Sequence, residues 1–427
     1  MSDLHVKYLL VGGGVAASEA AKAIREIDRQ GDLLMIGQEI NRPYHRPPLS
    51  KEYLRGQQNR ESLFTMPAEW FVQSHVQLRT GRRLSRLDTT RNAVTLDNGE
   101  GVSFDRLLIA IGGAAAALNV PGAQLPNLFY LRTLEDAELL QHAMAKAARE
   151  GQPHPKGRGR AVVIGGGMLG VELAASLTTA GLHVDLAISA EHPWRRIAGE
   201  TAGRCISQFM EAHGVTVHRN DRAARLEGDG RVQRVVLGSG KTLPCDFAVA
   251  AVGIAIHKEI LRGTPIAAEQ AILVDAGCRT NVRDIFAAGD CAAIFDPLFD
   301  KHRMMHHWDS AVKTGRIAGI NMAGGDAKFQ SASYFDSEIF GLRLGVWGEA
   351  KAADRRIFRG SSNMESPQFI EFGVAGDGRI AQVVAVGNLE RKQLFDRLIE
   401  RRAAMGGKEE QLKDPNLPLE HILDSGD

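Results

Sequence analysis

Leu9-Leu10-Val11-Gly12-Gly13-Gly14-Val15-Ala16-Ala17-Ser18-Glu19 and Val162-Val163-Ile164-Gly165-Gly166-Gly167-Met168-Leu169-Gly170-Val171-Glu172 follow one pattern, with Gly12 and Gly165 standing 153 residues apart. Each is an apolar run, then G-x-G-x-x-G/A, then residues at helical spacing: Ala20 to Ile27 in the first copy, Leu173 to Ala180 in the second. A second apolar run follows each, Leu33 to Ile36 and Val184 to Ile188. The chemistry explains the spacing. The first glycine permits a tight turn, and the second lets backbone N–H groups approach a pyrophosphate. The third position, here Ala17 or Gly170, must be small so that helix and strand can touch. The phosphates then lie on the positive end of the helix. One such loop is weak evidence. Two in strand–loop–helix context, one domain length apart, predict an α/β fold with two Rossmann-like dinucleotide-binding domains.

The second strand of such a unit should end near an acid that holds the adenosine ribose. Glu39 fills that place in the first copy. In the second copy Ile188-Ser189-Ala190 stands there, Glu191 comes slightly late, and Arg195 and Arg196 follow. Arginines there suit a 2′-phosphate, so NADH and NADPH both stay open.

Composition narrows the class. A chain of 427 residues is ample for about three domains at roughly 150 residues each. Apolar residues at 44% and charged residues at 24% are globular proportions and argue against disorder. The net charge of +1 gives no global attraction for nucleic acid or anionic membrane. The longest apolar run, about Leu107 to Leu118, falls short of the ~18 residues of a membrane span. The stretch Tyr8 to Ala17 reads as a first strand entering a glycine loop rather than a signal peptide, because Glu19 and Lys22 follow at once. The four cysteines, Cys205, Cys245, Cys278 and Cys291, form no CxxC pair, which disfavours a disulfide framework or a structural zinc site. No metal is expected, and a cytoplasmic setting is.

A third element begins at Thr280. Ile285 to Ala288 is a short apolar strand that Gly289-Asp290 ends, and a carboxylate there suits a polyol hydroxyl of a cofactor. With the two loops, this order of motifs resembles the two-dinucleotide-domain flavoprotein family, with FAD in the first domain and NAD(P)H in the second. The segment Arg42-Pro43-Tyr44-His45-Arg46-Pro47-Pro48-Leu49-Ser50-Lys51-Glu52-Tyr53-Leu54 resembles the ferredoxin reductase and apoptosis-inducing-factor branch. So does His307-Trp308-Asp309-Ser310-Ala311 leading to Gly319-Ile320-Asn321-Met322. The likeness covers about residues 5 to 350.

The resemblance implies roles. Gly12, Gly14 and Ala17 would cradle the FAD pyrophosphate, Glu39 would bind its ribose and Arg46 would reach the FAD. Lys51 would lie near flavin N5 and pair with Glu172, the two assisting hydride transfer. Asp290 would take a ribityl hydroxyl, and the helix after Trp308 would aim its N-terminus at the flavin. Gly165, Gly167, Gly170, Glu172, Glu191, Arg195 and Arg196 would serve NAD(P)H.

Three departures stand out. Ile111, Gly112 and an alanine run replace the usual Ala-Thr-Gly and following Arg; His306 replaces an acid; Asp336 stands where relatives carry an aromatic that stacks over the nicotinamide. The redox CxxxxC of disulfide reductases is absent, which excludes that route, and Cys291 reads as a packing residue.

The implied reaction takes hydride from NADH or NADPH to FAD, then passes single electrons to a ferredoxin- or rubredoxin-type carrier. The alternatives are a slow, redox-sensing or interaction flavoprotein like apoptosis-inducing factor, or a quinone or monodehydroascorbate-type reductase. Arg79, Arg82, Arg83 and Arg86, or Arg355, Arg356 and Arg359, are candidate faces for an acidic partner. The expected domains are FAD-binding, 1–119 and 246–328; NAD(P)H-binding, 120–245; and a C-terminal α+β domain, 329–427. In the last, strands Gln368 to Val374 and Ile380 to Val386 precede a helix Leu389 to Ala403, and the charged tail Gly406 to Asp427 is expected to be loosely ordered. That tail lacks an amphipathic membrane anchor. Monomer and homodimer both remain open.

Overall fold

The computed structural model describes residues 4–154, 157–363, 365–387, 389–402, 404–405 and 407–424. Contacts divide the chain into two compact units: 1–45, 60–114 and 255–333 form the first; 46–59, 115–254 and 334–427 form the second.

In the first unit Leu4–Val11 lies centrally in a sheet ordered Val76–Arg79, Leu33–Ile36, Leu4–Val11, Gly101–Ile109, Ala93–Leu96, Leu84–Asp88, with Ile285–Ala287 also on Gly101–Ile109. The strands flanking Leu4–Val11 are parallel to it and both faces are covered, so these strands read as near-continuous apolar runs. Tyr8 to Val11, Leu33 to Ile36 and Leu107 to Ile109 are all buried. The helix Val15–Ile27 starts directly after Gly14, earlier than the apolar spacing from Ala20 indicates. Only the three-residue loop Gly12-Gly13-Gly14 separates strand from helix, with Gly14 as the N-cap.

That helix packs on Trp308–Met322 through small residues. A Cβ on Gly315 would come within 2.7 Å of the Ala16 Cα, and one on Gly319 within 2.8 Å of the Ala20 Cα. The backbones approach this closely only because hydrogen atoms stand where side chains would be.

The second unit repeats the plan. Its parallel sheet runs Thr216–His218, His183–Ala187, Arg160–Ile164, Phe247–Ala250, Leu128–Phe129. The helix Met168–Thr179 follows the second glycine loop. A three-stranded meander, Ala223–Glu227, Arg234–Leu237 and Thr242–Pro244, accompanies it. The C-terminal part is an antiparallel sheet ordered Tyr334–Ile339, Leu342–Gly348, Ile380–Val386, Gln368–Val374, Arg355–Ser361.

Three expectations need correction here. The helix expected over Leu389 to Ala403 is Lys392–Glu400, because Arg402 adopts φ 52, which no α-helix tolerates; Ala403 lies outside the described residues. The tail is built in. It carries helices Glu409–Lys413 and Leu419–Asp424, and Leu412, Leu419 and Ile422 are buried. Gly406 and 425–427 lie outside the described residues. Arg355, Arg356 and Arg359 are not a free basic face. Arg355 pairs with Glu409, Arg356 with the buried Glu371 at 2.7 Å, and Arg359 donates to the carbonyls of Leu412, Asp414, Pro415 and Leu417. A buried guanidinium with five donors needs such acceptors, and the tail supplies them.

No helix among the described residues is long and apolar enough to cross a membrane.

Candidate functional site

Both glycine loops have the geometry of a phosphate cradle. Gly12 has φ 147 and Gly165 has φ 123, in the region that favours glycine. A Cβ on either would run into the backbone of Ala110 or Ala251. Gly170 is equally confined, its Cβ position falling 2.9 Å from the Gly165 carbonyl carbon. Gly14 and Gly167 differ: a Cβ there would meet nothing within 4 Å, so each faces open space. They are also the N-caps of their helices, and neither helix has a side-chain cap. Backbone N–H groups of the first turn are thus left for a ligand. Ala17 is fully buried at the contact between helix and strand. Glu39 receives a hydrogen bond from the Tyr44 hydroxyl, which orients it after the strand Leu33–Ile36.

At the end of Ile285–Ala287, Ala288 N donates to Ile109 O (3.1 Å) and Gly289 turns with φ 73. Gly289 N donates to Thr314 Oγ1 at 3.0 Å, which sets Asp290 beside the helix Trp308–Met322. That helix is capped by His307, whose Nδ1 accepts from Ser310 N at 3.4 Å. Burial, with Arg303 adding to it, pushes His307 down to about 3, so the cap is the neutral imidazole. Trp308 is 41% exposed, and its indole N–H donates to His45 Nδ1 at 3.1 Å. Sequence reasoning missed both partners.

In the second unit Glu172 is the centre of a polar cluster. Lys51 Nζ is 3.1 Å from its Oε1. Ser337 Oγ donates to the same oxygen at 2.7 Å, and Ser50 Oγ to Oε2 at 2.5 Å. Ser176, one turn along the helix, donates to the Ser50 carbonyl at 2.6 Å. Glu172 is 5% exposed, so three donors satisfy a carboxylate that burial would otherwise penalise. Among the described residues its repeat twin Glu19 makes only the local pair with Lys22. Glu172 therefore has a role that helix position alone does not explain. Ser337 could not be found from the sequence, because it lies 165 residues from Glu172. Arg46 donates to the carbonyl of Arg132.

Glu191 is 64% exposed in its side chain and lies 3.6 Å from His192 Nε2. Arg195 and Arg196 are exposed. Among the described residues no three or more His, Cys, Asp and Glu side chains gather as a metal site.

Two cradles of this kind on one chain have a counterpart among known families. The description Pyridine nucleotide-disulphide oxidoreductase matches residues 6–315. The chain belongs to this family. Within it the likeness is to ferredoxin reductases. Rhodocoxin reductase of Rhodococcus erythropolis is 31% identical over 83% of this chain and 81% of its own. The ferredoxin--NAD(+) reductase component of the anthranilate 1,2-dioxygenase system of Burkholderia cepacia is 30% identical over 97% and 99%. The covalent putidaredoxin reductase–putidaredoxin complex has a reductase-like chain at TM-score 0.90 and 27% identity, covering 99% of each.

The cofactors of the pyridine nucleotide-disulphide oxidoreductase family are FAD and NAD(P)H. The cradles fit them, since Gly14 and Gly167 leave room at uncapped helix starts. The family name does not carry dithiol chemistry here. All four cysteines are buried, and burial pushes Cys205 and Cys291 up to about 11 and Cys245 to about 12. Ile111 packs on the apolar core of the first unit and offers no hydroxyl. Asp336 points to solvent, while Phe335 and Ser337 share the opposite face of the strand. The Phe335 ring meets Trp194 at 5.8 Å.

Proposed function

We propose that the chain oxidises NAD(P)H and hands the electrons singly to an iron–sulfur carrier protein of ferredoxin or rubredoxin type. The observation that carries this reading is the triply held Glu172 beside Lys51, in a chain whose relatives are ferredoxin reductases along their whole length. Bound FAD would supply the chemistry that links a two-electron hydride donor to a one-electron acceptor.

The chain's own residues do the rest. Gly12, Gly14 and Ala17 hold the FAD pyrophosphate, Glu39 its ribose and Asp290 a ribityl hydroxyl, with Arg46 and Trp308 as further FAD contacts. Gly165, Gly167 and Gly170 hold the nicotinamide nucleotide's phosphates. Ser50 and Ser337 fix the orientation of Glu172, which leaves one face of the carboxylate beside the Lys51 ammonium. A fixed carboxylate can hold the nicotinamide amide, and a fixed cation favours arrival of negative charge. We propose a domain division of 1–119 with 246–328 for FAD, 120–245 for NAD(P)H and 329–427 as the C-terminal domain. The proposed setting is the cytoplasm, as a monomer or homodimer.

One observation favours a second reading, a slow redox-sensing flavoprotein: Asp336, exposed and unable to stack, stands where an aromatic is expected. Steady-state assays with NADH and NADPH against ferricyanide and a ferredoxin separate the two. Fast turnover is expected. A long-lived charge-transfer band with negligible turnover would instead support the sensor. Lys51→Ala should slow anaerobic flavin bleaching by tenfold or more while FAD content stays near one per chain. Loss of FAD at an unchanged bleaching rate would remove Lys51 from the hydride step.

A further inference from the structure

The two cradles are built in the same register but end differently. Gly12 N donates to Ile36 O at 2.8 Å, and Gly165 N donates to Ala187 O at 2.9 Å. These equivalent bonds align Ile36 with Ala187, and counting onward aligns Gly37 with Ile188 and Glu39 with Ala190. Side-by-side packing agrees. A Cβ on Gly13 would come 3.1 Å from the Gly37 Cα, and one on Gly166 would come 2.7 Å from Ile188 Cγ2. So the place of the ribose carboxylate is occupied in the second copy by a buried isoleucine, an exposed serine and an alanine.

The segment that follows is anchored to the cradle itself. Trp194 N donates to the carbonyl of Gly166, the middle glycine, at 2.9 Å. The Trp194 side chain is 2% exposed, which locks the anchor in place. Ile197 N and Ala198 N both return to Trp194 O, at 2.7 and 2.9 Å, and close a turn around Arg195 and Arg196. Both guanidinium groups are exposed, and neither makes a hydrogen bond or ion pair among the described residues.

We propose that this cradle selects NADPH over NADH, with Arg195 and Arg196 holding the 2′-phosphate. The inference rests on the reductase reading above and sharpens its substrate. A carboxylate at the strand end would accept from a 2′-hydroxyl and repel a phosphate; the position aligned with Glu39 holds Ala190, and Glu191, one residue on, is exposed and lies 3.6 Å from His192 Nε2. Two guanidinium groups on a turn tied to the glycine loop supply planar donors matched to phosphate oxygens. Side chains this exposed stay hydrated until a dianion draws them together, so the free state carries little penalty from their like charges.

The test uses the FAD-loaded protein. Calorimetric titration should show adenosine 2′,5′-bisphosphate binding at least tenfold more tightly than adenosine 5′-monophosphate, with the gap narrowing as salt rises. The R195Q/R196Q double variant should lose most of that gap. In steady state, kcat/KM should favour NADPH by at least tenfold, and the double variant should lose the preference through KM. Equal binding of the two probes, or a preference the double variant retains, overturns the proposal. If NADH reduces the flavin rapidly and the 2′-phosphate confers nothing, the selectivity fails and the reductase reading stands. If neither nucleotide reduces the flavin yet the bisphosphate preference holds, the selectivity stands and the reductase reading fails.

Discussion

His307 shows how one residue ties a helix end to pH. Its Nδ1 accepts from Ser310 N, and burial holds it near 3 against about 6.5 in an unfolded chain. Between about pH 6.5 and 3 the unfolded chain takes up a proton that the folded chain refuses. The contribution is therefore complete above about pH 6.5 and is lost as pH falls toward 3, at up to about 1.4 kcal/mol per pH unit. His307→Asn keeps a capping acceptor and removes the titration. Urea denaturation at pH 7 and pH 5 should show a smaller loss of stability for the variant, and equal losses would refute the assignment. The sequence made the His-Trp pair visible, but not which nitrogen accepts nor how dry the site is, because those depend on neighbours such as Arg303 and Asp290. Glu172 is similar: Lys51 was legible as its partner through family resemblance, whereas Ser50 and Ser337 became partners only when the chain folded.

At the scale of elements, the helices Val15–Ile27 and Trp308–Met322 meet through Ala16, Ala20, Gly315 and Gly319. Gly319→Ala inserts a methyl where the Ala20 backbone already stands, and overpacking of this kind costs about 1–3 kcal/mol. The melting temperature of the variant should fall by several degrees, and FAD should be released at lower urea than from the parent chain. An unchanged melting curve would mean that the helices can part freely. Strand positions such as Leu33–Ile36, Gln368–Val374 and Ile380–Val386 were readable to the residue, the first from a continuous apolar run and the other two from apolar residues interleaved with polar or small ones. The expected helix, Leu389 to Ala403, overruns Lys392–Glu400 at both ends; towards the C-terminus Arg402 takes φ 52, which ends helical backbone whatever the spacing of the sequence.

Across the whole molecule, the thiols test the chemistry class. Cys205, Cys245, Cys278 and Cys291 are all buried, and burial raises every one of them. None should react with a disulfide reagent in native buffer at pH 8, and all four should react in denaturant. Fast labelling of even one native thiol would reopen dithiol or thiolate chemistry. The two nucleotide cradles could be read from residue order alone, because their glycine spacing is a local steric requirement. Residue order also shows that no redox cysteine pair stands beside the first strand. The folded chain settled what the cradles are offered: the serines on Glu172, Ala190 at the place of a ribose carboxylate, and the arginine turn tied to Gly166. These are contacts between segments far apart along the chain, and local periodicity carries no information about them. The same holds for the tail, whose charged composition suggested disorder. Its Leu412, Leu419 and Ile422 are buried, and its carbonyls satisfy Arg359, a need that arises only once that arginine has left water.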